Sequence, residues 1–159
     1  MFKTIAPAAF IAVLATGAHA SQTISEIDVS VDLPAIENKE AAAVWTSLGT
    51  DLETAIAERI TPLLGENGTE VVVDINEVAL ATAFENAYAL EDSSLIGMVE
   101  IKEPGLLNDE EYELTVTASQ AVSALSPSID MSQLTIASEE VYTALINAFA
   151  DNVSEKLMQ

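Results

Sequence analysis

The sequence contains no cysteine and a single histidine, His19. The first absence excludes disulfide staples, thiol nucleophiles and metal centres held by thiolates. The second is nearly as severe, because His19 lies in a segment that reads as an export signal. A basic start at Lys3, an apolar stretch from Ile5 to Thr16 and the small-residue site Ala18-His19-Ala20 before Ser21 follow the grammar of a cleaved secretory peptide. Cleavage after Ala20 leaves no imidazole for a triad, a zinc site or haem ligation. No cysteine stands at the cleavage site, so lipid attachment there is excluded as well.

Positive charge is also scarce. Five Lys and Arg face 26 Asp and Glu, for a formal net charge of −21 at pH 7. Every acid follows Ala20, and removal of Lys3 leaves only Lys39, Arg59, Lys102 and Lys156 as bases. Phosphate backbones are bound by clusters of Lys and Arg, so nucleic acid is excluded as a partner, and anionic membrane surfaces are repelled for the same reason. Long apolar runs are missing too. The stretch Ile5–Thr16 is shorter than the roughly 20 residues that span a bilayer as a helix, and no integral membrane segment is expected after cleavage. The six glycines form neither a G-x-G-x-x-G turn nor a P-loop. There is no G-x-S-x-G elbow and no Ser three residues before a Lys, so no serine has an obvious base.

What is present is periodicity, and it argues against disorder despite the acidity. Ile27, Val29, Val31 and Leu33 alternate with Glu26, Asp28, Ser30 and Asp32, predicting a strand over 24–33 that Pro34 ends. Asn38 is a candidate cap for a helix in which Ala41, Trp45, Leu48, Leu52, Ile56 and Ile60 recur at spacings of three and four. Pro62 and Gly65 close that helix. Val71, Val73 and Ile75 alternate with Val72, Asp74 and Asn76 in a second strand. The Ala-rich stretch 77–90 reads as a short helix carrying Leu80, Phe84 and Ala87, with an extension of the preceding strand as the alternative.

Leu95–Lys102 and Glu111–Thr117 form the clearest pair. Leu95, Gly97, Val99 and Ile101 share one face of the first run, and Tyr112, Leu114 and Val116 one face of the second. Pro104, Gly105, Asn108 and Asp109 between them predict an antiparallel hairpin. The Ser-rich stretch 119–137, with Pro127, reads mostly as connector, with a fifth short strand at Leu134–Ala137. A final helix over 139–157 has Ser138 as its cap, Glu139 and Glu140 at its positive end and Lys156 at its negative end. Its apolar side carries Val141, Tyr142, Leu145, Ile146, Phe149 and Val153. Together these elements predict, for residues 21–159, a single α+β domain: a two-layer sandwich with a small, mainly antiparallel sheet of about four strands and two principal helices packed on one face.

Candidate chemistry rests on carboxylates alone, and no residue is assigned a catalytic, cofactor-binding or metal-binding role. Asp74 is the one acid in a strongly apolar strand and reads as solvent-facing or bonded to a neighbouring backbone group. Asp109, Glu110, Glu111 and Glu113 form the densest acidic cluster, but they lack the spacing and fixed glycine of an EF-hand and read as a solvated sheet edge. Glu91 and Asp92 read as a loop, and Trp45 as core rather than a sugar-stacking platform. Asn67-Gly68-Thr69 and Asn152-Val153-Ser154 match the glycosylation sequon. The sequence therefore predicts an exported, non-enzymatic domain, periplasmic or secreted, that binds another envelope protein or a small ligand without a cofactor. The alternatives are an acidic, calcium-responsive module and a carboxylate-dependent hydrolase.

Overall fold

Alternation of apolar and polar side chains, read at a period of two, builds a four-stranded sheet. Its strands are β1 (Ile24–Ser30), β2 (Thr69–Ile75), β3 (Ser94–Lys102) and β4 (Glu110–Thr117), in the spatial order β1-β2-β3-β4. The structure, a computed structural model, describes residues 23–35, 39–76, 93–105, 109–125, 130 and 134–159. The signal segment, Asn38, the Ala-rich stretch 77–90, Glu91 and Asp92 lie outside the described residues, as does Pro127. Strands β2, β3 and β4 run antiparallel in turn, while β1 lies parallel to β2. Parallel neighbours need a long crossover. The helices α1 (Lys39–Val44) and α2 (Leu48–Arg59) lie within that crossover. Two further helices, α3 (Ala118–Val122) and α4 (Glu139–Leu157), follow the sheet.

The expected α+β sandwich is therefore present, and the inner face of the sheet is the expected one. Val71, Val73 and Ile75 of β2, Leu95, Val99 and Ile101 of β3 and Val116 of β4 are buried. Helix α2 contributes Leu48, Leu52 and Ile56, and α4 contributes Val141, Leu145, Phe149, Val153 and Leu157 to the same cluster. Each fully buried side chain of this size favours folding by about 1.5–3 kcal/mol.

Several details depart from the sequence expectations. Strand β1 ends at Ser30, and the chain turns through a 3-10 segment at Leu33–Ala35 instead of running extended to Leu33. A bulge between Ile24 and Glu26 lets Ile24, out of phase with Ile27 and Val29, reach the core as well. Ser25 at the bulge donates its hydroxyl to Gly68 O at 3.0 Å. The Trp45 helix is two helices, interrupted at 45–47. There the Thr46 hydroxyl bonds the carbonyls of Ala42 and Ala43, at 3.2 and 3.0 Å, in competition with the helical ladder.

Residues 134–137 form no strand; Ile136 sits in a turn and is fully buried. The Ser138 side chain does not cap α4, because its Oγ accepts from Thr135 N at 2.9 Å instead. The start of the presumed connector is helical. Thr117 and Gln120 form a reciprocal capping box that launches α3 from the end of β4. At the hairpin, Gly105 takes φ of +85°, the conformation that a Pro-Gly turn requires.

Candidate functional site

The helices cover one side of the sheet, and alternation sends a different set of side chains to the other. On this outer face the register aligns cross-strand rows. One row runs Asp28, Val72, Glu100, Glu111, and the next runs Ser30, Asp74, Met98, Glu113. A third joins Glu26, Glu70 and Lys102. Met98 is 37% exposed at the centre, with Val72 and Ile96 half-buried beside it. The surface is acidic, with a small apolar middle.

Several of these acids stand directly opposite one another. Glu26 pairs with Glu70 and Glu100 with Glu111, an arrangement that destabilises a sheet relative to neutral pairs. Lys102 offsets part of the repulsion, with Nζ 3.4 Å from Glu100 and 3.8 Å from Glu70. Although loss of hydration pulls the Lys102 pKa down, the bond to Glu100 and the charges of Glu100, Glu70 and Asp109 outweigh it and raise the pKa above the usual lysine value. Asp74 is exposed, the solvent-facing position expected of it, and accepts from the Ser30 hydroxyl, a side chain rather than a neighbouring backbone group, at 2.8 Å.

The two edges of the sheet differ. At β1, Val29 N–H points away from β2 and donates to the Glu53 carboxylate of α2 at 3.2 Å. On the same side, Gly49 of α2 comes so close that an added Cβ would lie 3.0 Å from Val29 O. This edge is covered at Val29. At β4, two hydrogen bonds fix the orientation of the backbone. Ala118 N–H reaches in to Ser93 O at 2.8 Å, and Thr117 N–H reaches out to the Gln120 side chain at 3.3 Å. Because N–H groups alternate along a strand, those of Glu111, Glu113 and Thr115 also point outward. Among the described residues nothing pairs with them.

The acidic cluster of the sequence is thus divided by the strand. Glu111 and Glu113 lie on the outer face, whereas Glu110 lies on the other side and meets Lys156 of α4 at 2.6 Å. Among the described residues no group of three or more acids is placed to hold a metal ion. Tyr112, beside Glu110, has its pKa raised by burial and then by that carboxylate, and Lys156 Nζ stands 6.0 Å from its ring centre.

Trp45 is 1% exposed and packs on Tyr142, with ring centres 5.8 Å apart; it belongs to the core. Both sequons have an exposed asparagine, Asn67 or Asn152, but their hydroxyl residues Thr69 and Ser154 are buried.

Two hollows are bounded by described residues. One, of about 170 Å³ between α3 and α4, is lined by Ala121, Ala124, Ala144 and Ala148 with Asn147 and Asp151. It is below the usual size of a small-molecule site, about 300–1,000 Å³. The other, of about 360 Å³, is bordered by Leu125, Glu139, Glu140 and Thr143. Its two acids are neighbours on one helix and diverge, unlike the converging pair that a glycosidase-type mechanism needs. No described helix is long and apolar enough to cross a membrane.

No family model and no curated protein matches this chain. It is similar to a solved structure described as "Crystal structure of uncharacterized protein", at 9% identity and a TM-score of 0.41, over 86% of this chain and 92% of that chain.

Sequence reasoning singled out Asp74 and the cluster at 109–113 but not the asymmetry of the edges. The Glu53 bond to Val29 and the cap at Thr117 join residues whose relation depends on the folded chain. The readable signal was the density of acids in β4, which marks an edge strand.

Proposed function

We propose that this chain is an exported, non-enzymatic domain that binds another envelope protein through its sheet. One observation carries the reading: the outer face holds carboxylates in mutually repulsive cross-strand pairs around the exposed Met98. Such pairs cost stability in the isolated domain, and a bound partner carrying positive charge relieves them. A sheet face of this kind, which lines neither of the two hollows, suits a macromolecule better than a small ligand, which is held in concave pockets. The export signal at 1–20 supplies the compartment, periplasmic or secreted.

Photo-crosslinking in the native host tests the reading. A crosslinking residue in place of Met98 is expected to capture a discrete partner, and the same residue in place of Thr54, exposed on α2, is not. Absence of any adduct from Met98, or equal adducts from both positions, would defeat it. Mass measurement of the exported protein checks the compartment: its N-terminus is expected at Ser21, and a cell-associated protein retaining Met1 contradicts export.

A further inference from the structure

We infer that the edge of β4, unpaired among the described residues, takes up an extended segment of a partner protein, in which basic and apolar residues alternate, as a fifth strand of the sheet. This rests on the reading of the domain as a binding protein and names the chemistry of its partner. The stretch available is short and defined. It begins at Glu111, includes Glu113 and Thr115, and stops at Thr117, whose N–H is already taken by Gln120. The opposite edge is covered at Val29, where Glu53 occupies the N–H and α2 stands against the carbonyl oxygen.

Strand addition draws affinity from backbone hydrogen bonds and specificity from alternate side chains. The outward-pointing backbone of β4 belongs to the residues whose side chains lie on the outer face, Glu111, Glu113 and Thr115. An incoming strand therefore sets one row of its side chains beside two carboxylates, with Glu100 directly behind Glu111. That row is basic. Its other row falls beside the half-buried Tyr112 and Leu114 and is apolar.

A second copy of this chain is the wrong occupant. Pairing of two β4 edges sets acidic residues against acidic residues, which is unfavourable between direct neighbours and is compounded by a net charge of −21. Exposed sheet edges carry charge to prevent aggregation with their own kind. On this edge the charge is of one sign, so the device that blocks self-pairing selects an oppositely charged strand.

Peptide binding followed by residue-resolved amide exchange tests the proposal on the whole domain. The probes are a capped peptide of alternating lysine and valine and a block peptide of the same composition, compared at about physiological ionic strength. The alternating peptide is expected to bind about tenfold more tightly and to protect the amides of Glu111, Glu113 and Thr115. Glu113→Pro deletes one outward N–H at an edge position where proline is tolerated, and is expected to abolish that protection.

The double variant E111K/E113K keeps the backbone intact and is expected to weaken binding at least about tenfold; it decides the matter should Glu113→Pro fail to fold. Equal binding of the two peptides, protection elsewhere in the sheet, or no binding would overturn the proposal. A partner crosslinked at Met98 together with failure of the peptide at β4 would sink strand addition alone. Failure of the Met98 adduct together with success at β4 would leave the edge and remove the outer face.

Discussion

Gly97 lies at the centre of β3 beneath the ring of Phe149, and the pair gives a sharp test of how the core is packed. A Cβ at position 97 would stand 3.1 Å from Phe149 Cζ, 3.0 Å from Ile75 Cδ1 and 3.3 Å from Asp74 O. Carbon atoms in contact prefer about 3.5–4.0 Å, so the ring must withdraw by roughly half an ångström. Phe149 is 0% exposed and has little room to do so.

Overpacking of this kind costs about 1–3 kcal/mol, from which reduced freedom of the unfolded chain returns about 0.4–1 kcal/mol. Gly97→Ala is therefore expected to lose up to about 2.6 kcal/mol. Phe149→Leu alone removes the distal ring atoms and is expected to lose about 1.5–2.5 kcal/mol, between a conservative swap and full truncation. In the double variant the new methyl occupies vacated space. Its stability is expected to exceed the additive expectation by about 1–2 kcal/mol. Urea denaturation measures this as a shift of midpoint at constant slope. Losses that add to within about 0.5 kcal/mol would show that Phe149 does not seal Gly97 and would refute the reasoning.

Arg59 links α2 to α4 by donating to Asp151 at 2.5 Å and to Asn147 Oδ1 at 2.9 Å, and it also bonds Ala55 O. Arg59→Ala is expected to lose about 1–2 kcal/mol in chemical denaturation, and Arg59→Lys to recover less than half, because the fork matters more than the charge; a wild-type Lys variant contradicts this. Gly68→Ala places a Cβ 2.0 Å from Thr23 O, whereas Gly105→Ala meets nothing within 4 Å and bears only the strain of its positive φ. The first is expected to lose more than about 2 kcal/mol and the second about 1 kcal/mol, and the reverse order in thermal melts would discredit the packing account.

Tyr142 has its pKa raised by burial and then by the hydrogen bond from its hydroxyl to Asp51, at 2.6 Å, and Tyr112 is raised as well. Both stay protonated in the fold while the unfolded chain ionises near 10.0. Their contribution to stability is thus complete below that pH and lost as pH rises through the folded values. Absorbance titration in a Tyr88→Phe background is expected to show both native tyrosines ionising above 10.0. Ordinary titration of both would contradict it.

The faces of β2, β3 and β4 and the stripe of α4 were readable because a period of two or of 3.6 needs only neighbouring residues. The bulge at Ser25 was not, since the Gly68 carbonyl that its hydroxyl meets is remote in sequence but adjacent in the fold. The break at 45–47 was hidden by its own regularity. Trp45 and Leu48 keep helical spacing across it, so the apolar stripe continues where the helix does not. Ser138 stands where a cap belongs, yet its hydroxyl is drawn to Thr135. For the candidate site, the acids of β4 indicated an edge. Which edge is open depends on the order of strands and on where α2 comes to rest.

The parallel pairing of β1 with β2 bears on the order in which the chain can assemble. Translation proceeds from the N-terminus, so β1 is made before the strand that holds it. Until Thr69–Ile75 has also emerged, Ile24 and Val29 have no sheet to join, and closure must span both α1 and α2. The hairpin of β3 and β4 has no such wait, because its partners are close in sequence. Local pairing thus favours assembly from the later strands, with the first-made strand stitched on once its partner is available. An incomplete nascent chain lacking β2 consequently holds none of this sheet.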